Sequence, residues 1–147
     1  MIWMRLSGIP AAVSALAGVA LGLGAYTFVY ARGFAYFSND PAACANCHVM
    51  AENFDSWQRA SHHTAATCND CHTPHPFVPK YLAKAENGWN HSLRFTLQNF
   101  PDPIRIRPAN AEKLRRNCQR CHQEMVAQMP SEDCVRCHYR VGHGARI

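Results

Sequence analysis

Four times the chain repeats the run Cys-x-x-Cys-His. The runs are Cys44-Ala45-Asn46-Cys47-His48, Cys68-Asn69-Asp70-Cys71-His72, Cys118-Gln119-Arg120-Cys121-His122 and Cys134-Val135-Arg136-Cys137-His138. All eight cysteines fall into these runs. Two thiols three residues apart, followed at once by an imidazole, form a c-type haem attachment site. The thiols add across the two vinyl groups of one porphyrin, and the adjacent imidazole reaches the iron. A disulfide framework has no reason to place a histidine after every second cysteine. Zinc uses paired Cys-x-x-Cys runs, but it does not need four following histidines. The chain is therefore read as carrying four covalently bound haems c.

That reading constrains the fold. A chain of 147 residues suffices for one domain plus an anchor, and normally buries only a modest core. Four haems would supply much of it. The expected class is mainly α, a loop-rich, haem-packed domain with little or no sheet. Formal net charge is +5, with many of the cations late in the chain, from Arg105 to Arg146. Nucleic acid is excluded as the partner by compartment, since covalent haem is attached outside the cytoplasm. Each haem brings two propionates, and arginine forks suit carboxylates.

Residues 6–31 carry no charge and are bounded by Arg5 and Arg32. A spanning helix needs about 20 apolar residues, whereas a signal peptide has an apolar region of roughly 7–15. An uncleaved signal anchor over residues 1–33 is expected, with its transmembrane helix at about 9–31. Residues 34–147 then form the tetrahaem domain. Membrane lipid is thus one partner. Positive charge flanks both ends of the span and does not orient it. The haem motifs do: the C-terminal domain lies in the periplasm, on a single-pass protein of a bacterial inner membrane. Tyr26, Tyr30, Phe34, Tyr36 and Phe37 read as an interfacial aromatic belt.

Downstream, Met50, Phe54, Trp57 and Ser61 share one helical face, with the helix ending near His62 and His63. Pro74, Pro76 and Pro79 forbid regular structure after the second motif. Residues 80–100 read as a helix packing through Tyr81, Leu82, Trp89, Leu93 and Leu97. On it Lys84, Asn87, Gly88 and His91 share a face, with Gly88 leaving its middle bare. Asn110 reads as the N-cap of a helix from Ala111 through the third motif, and Pro130 as its stop before the fourth. The motifs form two pairs, starting 24 and 16 residues apart across a 50-residue interval.

The anchor, the first site extended to Cys-x-x-Cys-His-x-Met by Met50, and three further motifs resemble the NapC/NirT family of tetrahaem quinol dehydrogenases. The compact length and the run from Cys68 to His75 resemble the branch that serves a pentahaem nitrite reductase. The resemblance covers nearly the whole chain. It implies an enzyme subunit that oxidises menaquinol and passes electrons to a periplasmic pentahaem cytochrome c making ammonium from nitrite, within a hetero-oligomer. The alternatives are a quinol dehydrogenase feeding another reductase, such as nitrate reductase, and an electron-transfer module without a quinol site. The resemblance also implies ligands. Met50 replaces His48 at haem 1, and a thioether raises the iron potential relative to imidazole. His72, His122 and His138 are proximal at haems 2, 3 and 4. His63 matches the distal ligand of haem 4 and His143 that of haem 3, with His62 the neighbour most easily mistaken for His63. A lysine of the partner reductase is implied as the sixth ligand of haem 2, with His62 or His75 of this chain as the alternative. Lys84 matches the family's quinol-pocket lysine. His91 stands where relatives carry an aspartate, and could ligate haem 1 or accept a quinol proton.

Overall fold

The computed structural model describes residues 3–129 and 133–143, and side chains from residue 9 onward within them. The chain divides into two compact units, Met1–Ala35 and Tyr36–Ile147. Among the described residues there is no strand, as the haem-wrapping reading expects.

The first unit is α1, Trp3–Tyr30. Its segment Ile9–Tyr30 has mean hydropathy 1.8, and none of it is buried within the protein. It is long and apolar enough to cross a membrane, and it contributes nothing to a protein core. Arg32, at φ 52°, turns the chain out of the helix, its amide donating to the Val29 carbonyl at 3.0 Å. Gly33 follows directly against the Phe28 ring, where a Cβ would overlap it. A 3-10 turn, Gly33–Phe37, leads on.

The second unit is a string of short helices around two longer ones. Asp40 caps α2, Pro41–Cys44, by accepting from the Ala42 amide at 2.9 Å. After a 3-10 turn, His48–Met50, comes α3, Ala51–Gln58. It stops short of the expected His62 and His63. The chain instead coils through turns to Ala66, whose carbonyl receives the Trp57 indole N–H at 3.1 Å. The helix α4, Cys68–His72, starts from a capping box of Thr67 and Asp70.

Next is α5, Phe77–Thr96. It begins earlier than expected because Pro79 falls in its first turn, where a missing N–H costs nothing. It ends earlier too. Gln98, at φ 53°, closes it, and the Asn99 amide reaches back to the Arg94 carbonyl at 2.9 Å. The packing expectation for this helix needs correction: Leu82, Trp89, Leu93 and Leu97 are exposed, and the helix buries Ala83 and Lys84 instead. The helix α6, Pro108–Cys121, uses Pro108 at its first position with Arg107 before it. Asn110 is thus inside the helix rather than its cap, and its amide donates to the Asn87 side-chain carbonyl at 2.8 Å. Short helices α7, Gln123–Val126, and α8, Cys134–Cys137, complete the unit. The stop expected at Pro130 lies outside the described residues.

Almost nothing apolar is buried by polypeptide alone. Among the described residues the buried hydrophobics are Ala60 and Ala83, and the buried polar residues are Ser56, Thr73, Lys84 and Asn117. Each of those four makes a hydrogen bond. Among the described residues the polypeptide's own ties between motifs are mainly polar stitches.

Candidate functional site

Three of the four Cys-x-x-Cys-His runs sit on helical turns: the whole of α4, the last turn of α6, and α8. A helix puts residues i and i+3 on one side, so each pair of thiols faces one way and the histidine follows at the helix end. The first motif is built differently. Cys44 ends α2, Cys47 precedes the 3-10 turn, and His48 is exposed while Met50 is half-buried. The Met50 sulfur accepts from the Asn53 amide at 3.8 Å.

The motifs approach one another in pairs. The sulfurs of Cys44 and Cys68 lie within hydrogen-bonding reach of each other. The Cys118 thiol, raised chiefly by burial, also feels Cys134, its hydrogen-bond partner, and Cys71. Cys71, likewise raised chiefly by burial, senses Cys121. Sequence pairing thus has a counterpart in space, with motif 2 bridging to motif 3. None of the eight thiols forms a disulfide. Among the described residues no three His, Cys, Asp or Glu side chains converge as a metal cluster.

Motif 2 is the most heavily tied. The Asn69 amide donates to the Ser38 carbonyl at 3.3 Å and to the Asn39 side chain at 3.1 Å. From α6, the Asn117 amide donates to the Cys71 and Thr73 carbonyls, both at 2.9 Å. His75 donates from Nε2 to the Asp70 carbonyl at 3.2 Å, a structural role.

The histidines meet in rings. His72 and His143 lie 6.1 Å apart between centroids, and His62 and His122 lie 6.0 Å apart. Two imidazoles on opposite sides of one metal, each bonded at about 2 Å, have centroids about 6 Å apart. Burial, then the His143 ring, holds His72 down to about 4, so it is neutral and can ligate at pH 7. His143 donates from Nδ1 to the Asn53 carbonyl at 3.1 Å, with the Ser56 hydroxyl at 3.4 Å. That bond fixes the tautomer and leaves Nε2 with its lone pair. His63 packs edge-on to Trp57, with centroids 5.0 Å apart, and His138 is exposed at the end of α8.

Lys84 is only 8% exposed. Its ammonium donates to the Ser38 carbonyl at 2.6 Å and lies 5.7 Å from the Tyr81 ring centroid. Burial first, then Lys80, holds its pKa below the usual lysine value, with Cys44 opposing. A full turn along α5, the bare face at Gly88 is filled: a Cβ there would meet the Tyr36 ring at 3.1 Å. The Tyr36 phenol is pushed up by burial and by Cys47 and Cys44, so it lies beside motif 1. Residue patterns placed Tyr36 in an aromatic belt, and nothing in the sequence marked Ser38 as the partner of Lys84. The one available hint was Gly88 itself, a gap in a polar face. His91, on the same face, is held below its usual value by partial burial and then by Arg107, so it is neutral at pH 7.

Comparison with known proteins identifies the family. The family model described as NapC/NirT cytochrome c family, N-terminal region, matches residues 7–146. The cytochrome c-type protein NrfH of Wolinella succinogenes is 36% identical over 143 residues, covering 86% of this chain and 81% of its own. The cytochrome c nitrite reductase subunit NrfH of Nitratidesulfovibrio vulgaris is 32% identical, covering 87% and 81%. A solved structure, the cytochrome c nitrite reductase NrfHA complex bound to the HQNO inhibitor, contains a chain that superposes with TM-score 0.65 at 29% identity, covering 88% of this chain and 90% of that one. With four haem motifs in the expected context and the match spanning almost every residue, the chain belongs to the NapC/NirT cytochrome c family.

Proposed function

We propose that this chain is the quinol-oxidising subunit of a nitrite reductase complex, held in the inner membrane by α1 with its haem domain in the periplasm. It takes electrons from menaquinol and delivers them to a pentahaem nitrite reductase. The observation that carries this is the buried Lys84 beside motif 1, on a helix face shared with Gly88 and His91. The solved relative is bound to HQNO and is named as a nitrite reductase complex, which supports both halves of the reading.

Haem c at the four motifs supplies one-electron acceptors, whereas a quinol gives up two electrons and two protons. The chain's own groups deal with the protons and the charge. Lys84 presents an ammonium to a quinol oxygen and holds its developing negative charge. His91, neutral at pH 7, is able to accept a proton. Tyr36, and the Tyr81 ring with Phe37 and Phe77 against it, offer apolar surface to a quinone ring.

The experiment uses the full-length, haem-loaded protein in liposomes. Menaquinol should reduce the haems, and adding the purified reductase should make menaquinol oxidation depend on nitrite. Failure of menaquinol to reduce any haem removes the first half of the reading. Reduction without nitrite turnover removes the second.

For the axial ligands the family resemblance gives His63 to haem 4, His143 to haem 3 and a partner lysine to haem 2. The ring pairs favour a second set, His143 opposite His72 and His62 opposite His122. Alanine variants separate the two. In the first set His63→Ala and His143→Ala each convert one haem to high spin, His62→Ala is silent, and haem 2 becomes low spin only on binding the reductase. In the second set His62→Ala takes the place of His63→Ala, and haem 2 is low spin in the isolated subunit. Magnetic spectroscopy of each purified protein, with and without reductase, reads the difference.

A further inference from the structure

Two sides of α5 are held by neighbours. Along the first, Lys84 donates to the Ser38 carbonyl, the Tyr81 hydroxyl donates to the Phe37 carbonyl at 3.5 Å, and Gly88 receives the Tyr36 ring. Along the second, Glu86 meets Arg107 and Lys113, and Asn87 meets Asn110, all at the start of α6. The remaining side carries Val78, Leu82, Ala85, Trp89 and Leu93, spaced i, i+4, i+7, i+11 and i+15. It is a charge-free stripe centred roughly 150° around the helix from Lys84. Every one of these residues is exposed, Leu82 at 65% and Trp89 at 71%. Motif 1 is on the opposite side, reached through Tyr36, which lies beside Cys47 and Cys44. Motif 3 is at the other end of α6.

What lies near this stripe follows from the covalent chain. Tyr36, Phe37 and Ser38, which hold the first side of α5, come shortly after Tyr30, the last residue of the apolar helix α1. At about 3.5 Å per residue the chain keeps Tyr36 within about 20 Å of the end of α1, whatever the angle between the two units. A helix with its side chains is about 10–12 Å across, so α5 is tied where it can reach a headgroup layer. Its composition suits that layer. The single acid of α5, Glu86, is shared by two cations, while Lys80, Lys84 and Arg94 leave the helix net positive. An anionic lipid surface attracts such a helix once its apolar stripe is buried. Trp89 is of the residue type enriched at the membrane–water boundary, with an apolar body and a polar N–H.

We propose that α5 is an interfacial helix: its stripe from Val78 to Leu93 lies in the headgroup layer of the bilayer that α1 spans, as a second membrane contact of this chain. The inference rests on the reading of α1 as a membrane anchor. It also gives the substrate a route. The Tyr81 ring, with Phe77 against it, lies on the helix surface between the stripe and Lys84. An apolar ring leaving the lipid along that flank stays on apolar surface until it meets the ammonium.

The test uses the full-length, haem-loaded protein in vesicles of phosphatidylethanolamine and phosphatidylglycerol. All eight native cysteines belong to haem motifs, so a single added cysteine alone takes a thiol-reactive dye. The dye is placed on the stripe by Leu82→Cys or Leu93→Cys, on another exposed side of α5 by Arg94→Cys, and in the middle of α1 by Val19→Cys. A lipid with a nitroxide high on its acyl chain should quench each stripe dye by about half or more and the Arg94→Cys dye by less than about a fifth. Comparing vesicles with and without the nitroxide cancels quenching by haem. An unchanged four-haem spectrum checks that each variant is intact; if one stripe variant fails to mature, the other decides. Equal quenching of the stripe and Arg94→Cys dyes, with the Val19→Cys dye quenched by a deep nitroxide, overturns the interfacial helix alone. Stripe dyes that lipid does not quench, and that are shielded from aqueous iodide only when reductase is added, give the stripe to a protein partner and also overturn it. A Val19→Cys dye that no nitroxide lipid quenches overturns the anchor reading and the interfacial helix with it.

Discussion

Lys84→Met should slow menaquinol oxidation by about ten- to a hundredfold while all four haems remain attached. The range is what a charge-assisted hydrogen bond contributes, roughly 1.5–3 kcal/mol, when it is made to charge that develops during reaction. Methionine keeps the volume of a side chain that is 8% exposed. The Ser38 carbonyl it abandons keeps the Asn69 amide at 3.3 Å, so the local fold should survive. Dithionite reduction of the variant should match the parent in extent, which separates a lost substrate contact from a lost haem. Menaquinol turnover at the parental rate, measured with saturating reductase, would remove Lys84 from the site. His91→Gln offers a milder comparison, since a buffer proton acceptor can replace a partly solvated imidazole.

A second large effect is expected on removing a haem altogether. The double variant Cys118→Ala, Cys121→Ala should lower the yield of folded haem domain by more than tenfold. Polypeptide alone buries two hydrophobic side chains, both alanines, among the described residues. A porphyrin packed on both faces covers several hundred Å² of apolar surface, roughly 10 kcal/mol at about 25 cal/mol per Å². That equals the whole stability of a typical domain, about 5–15 kcal/mol. Polar stitches such as Asn117 to the Cys71 and Thr73 carbonyls contribute about 1 kcal/mol each and cannot make up the loss. Haem-stained membranes and a thermal melt followed in the Soret band give the result. A three-haem protein at parental yield, melting cooperatively, would show that the chain has a core that its burial does not reveal.

The motifs and the long apolar helix were legible in the sequence because each is local: a thiol spacing, and a run without charge. Element class was legible for the same reason. Boundaries were less so. Pro79 looks like a breaker until its place in the first turn of α5 is known, and Gln98 ends that helix in a conformation that ordinarily selects glycine. The apolar stripe of Leu82, Trp89, Leu93 and Leu97 has helical period, yet it is exposed in the chain; period tells which residues share a face and not what covers it. Long-range pairs were not legible at all. Ser38 meets Lys84 across 46 residues and His143 meets Asn53 across 90, and no spacing rule reaches that far. The ligand set lies between these cases, since adjacent His62 and His63 differ only in where the turn after α3 points them.

The Ser38 carbonyl also bears on how such a site empties. On the proposed function, the ammonium of Lys84 is engaged at 2.6 Å before substrate arrives, so an incoming ring must compete with a backbone acceptor. A reduced ring shedding protons gains negative charge and wins that competition. The oxidised ring is a neutral, weaker acceptor, and the ammonium returns to Ser38. The resting partner of the lysine would therefore work as a spring for product release, favouring departure of quinone into the lipid once its electrons have gone.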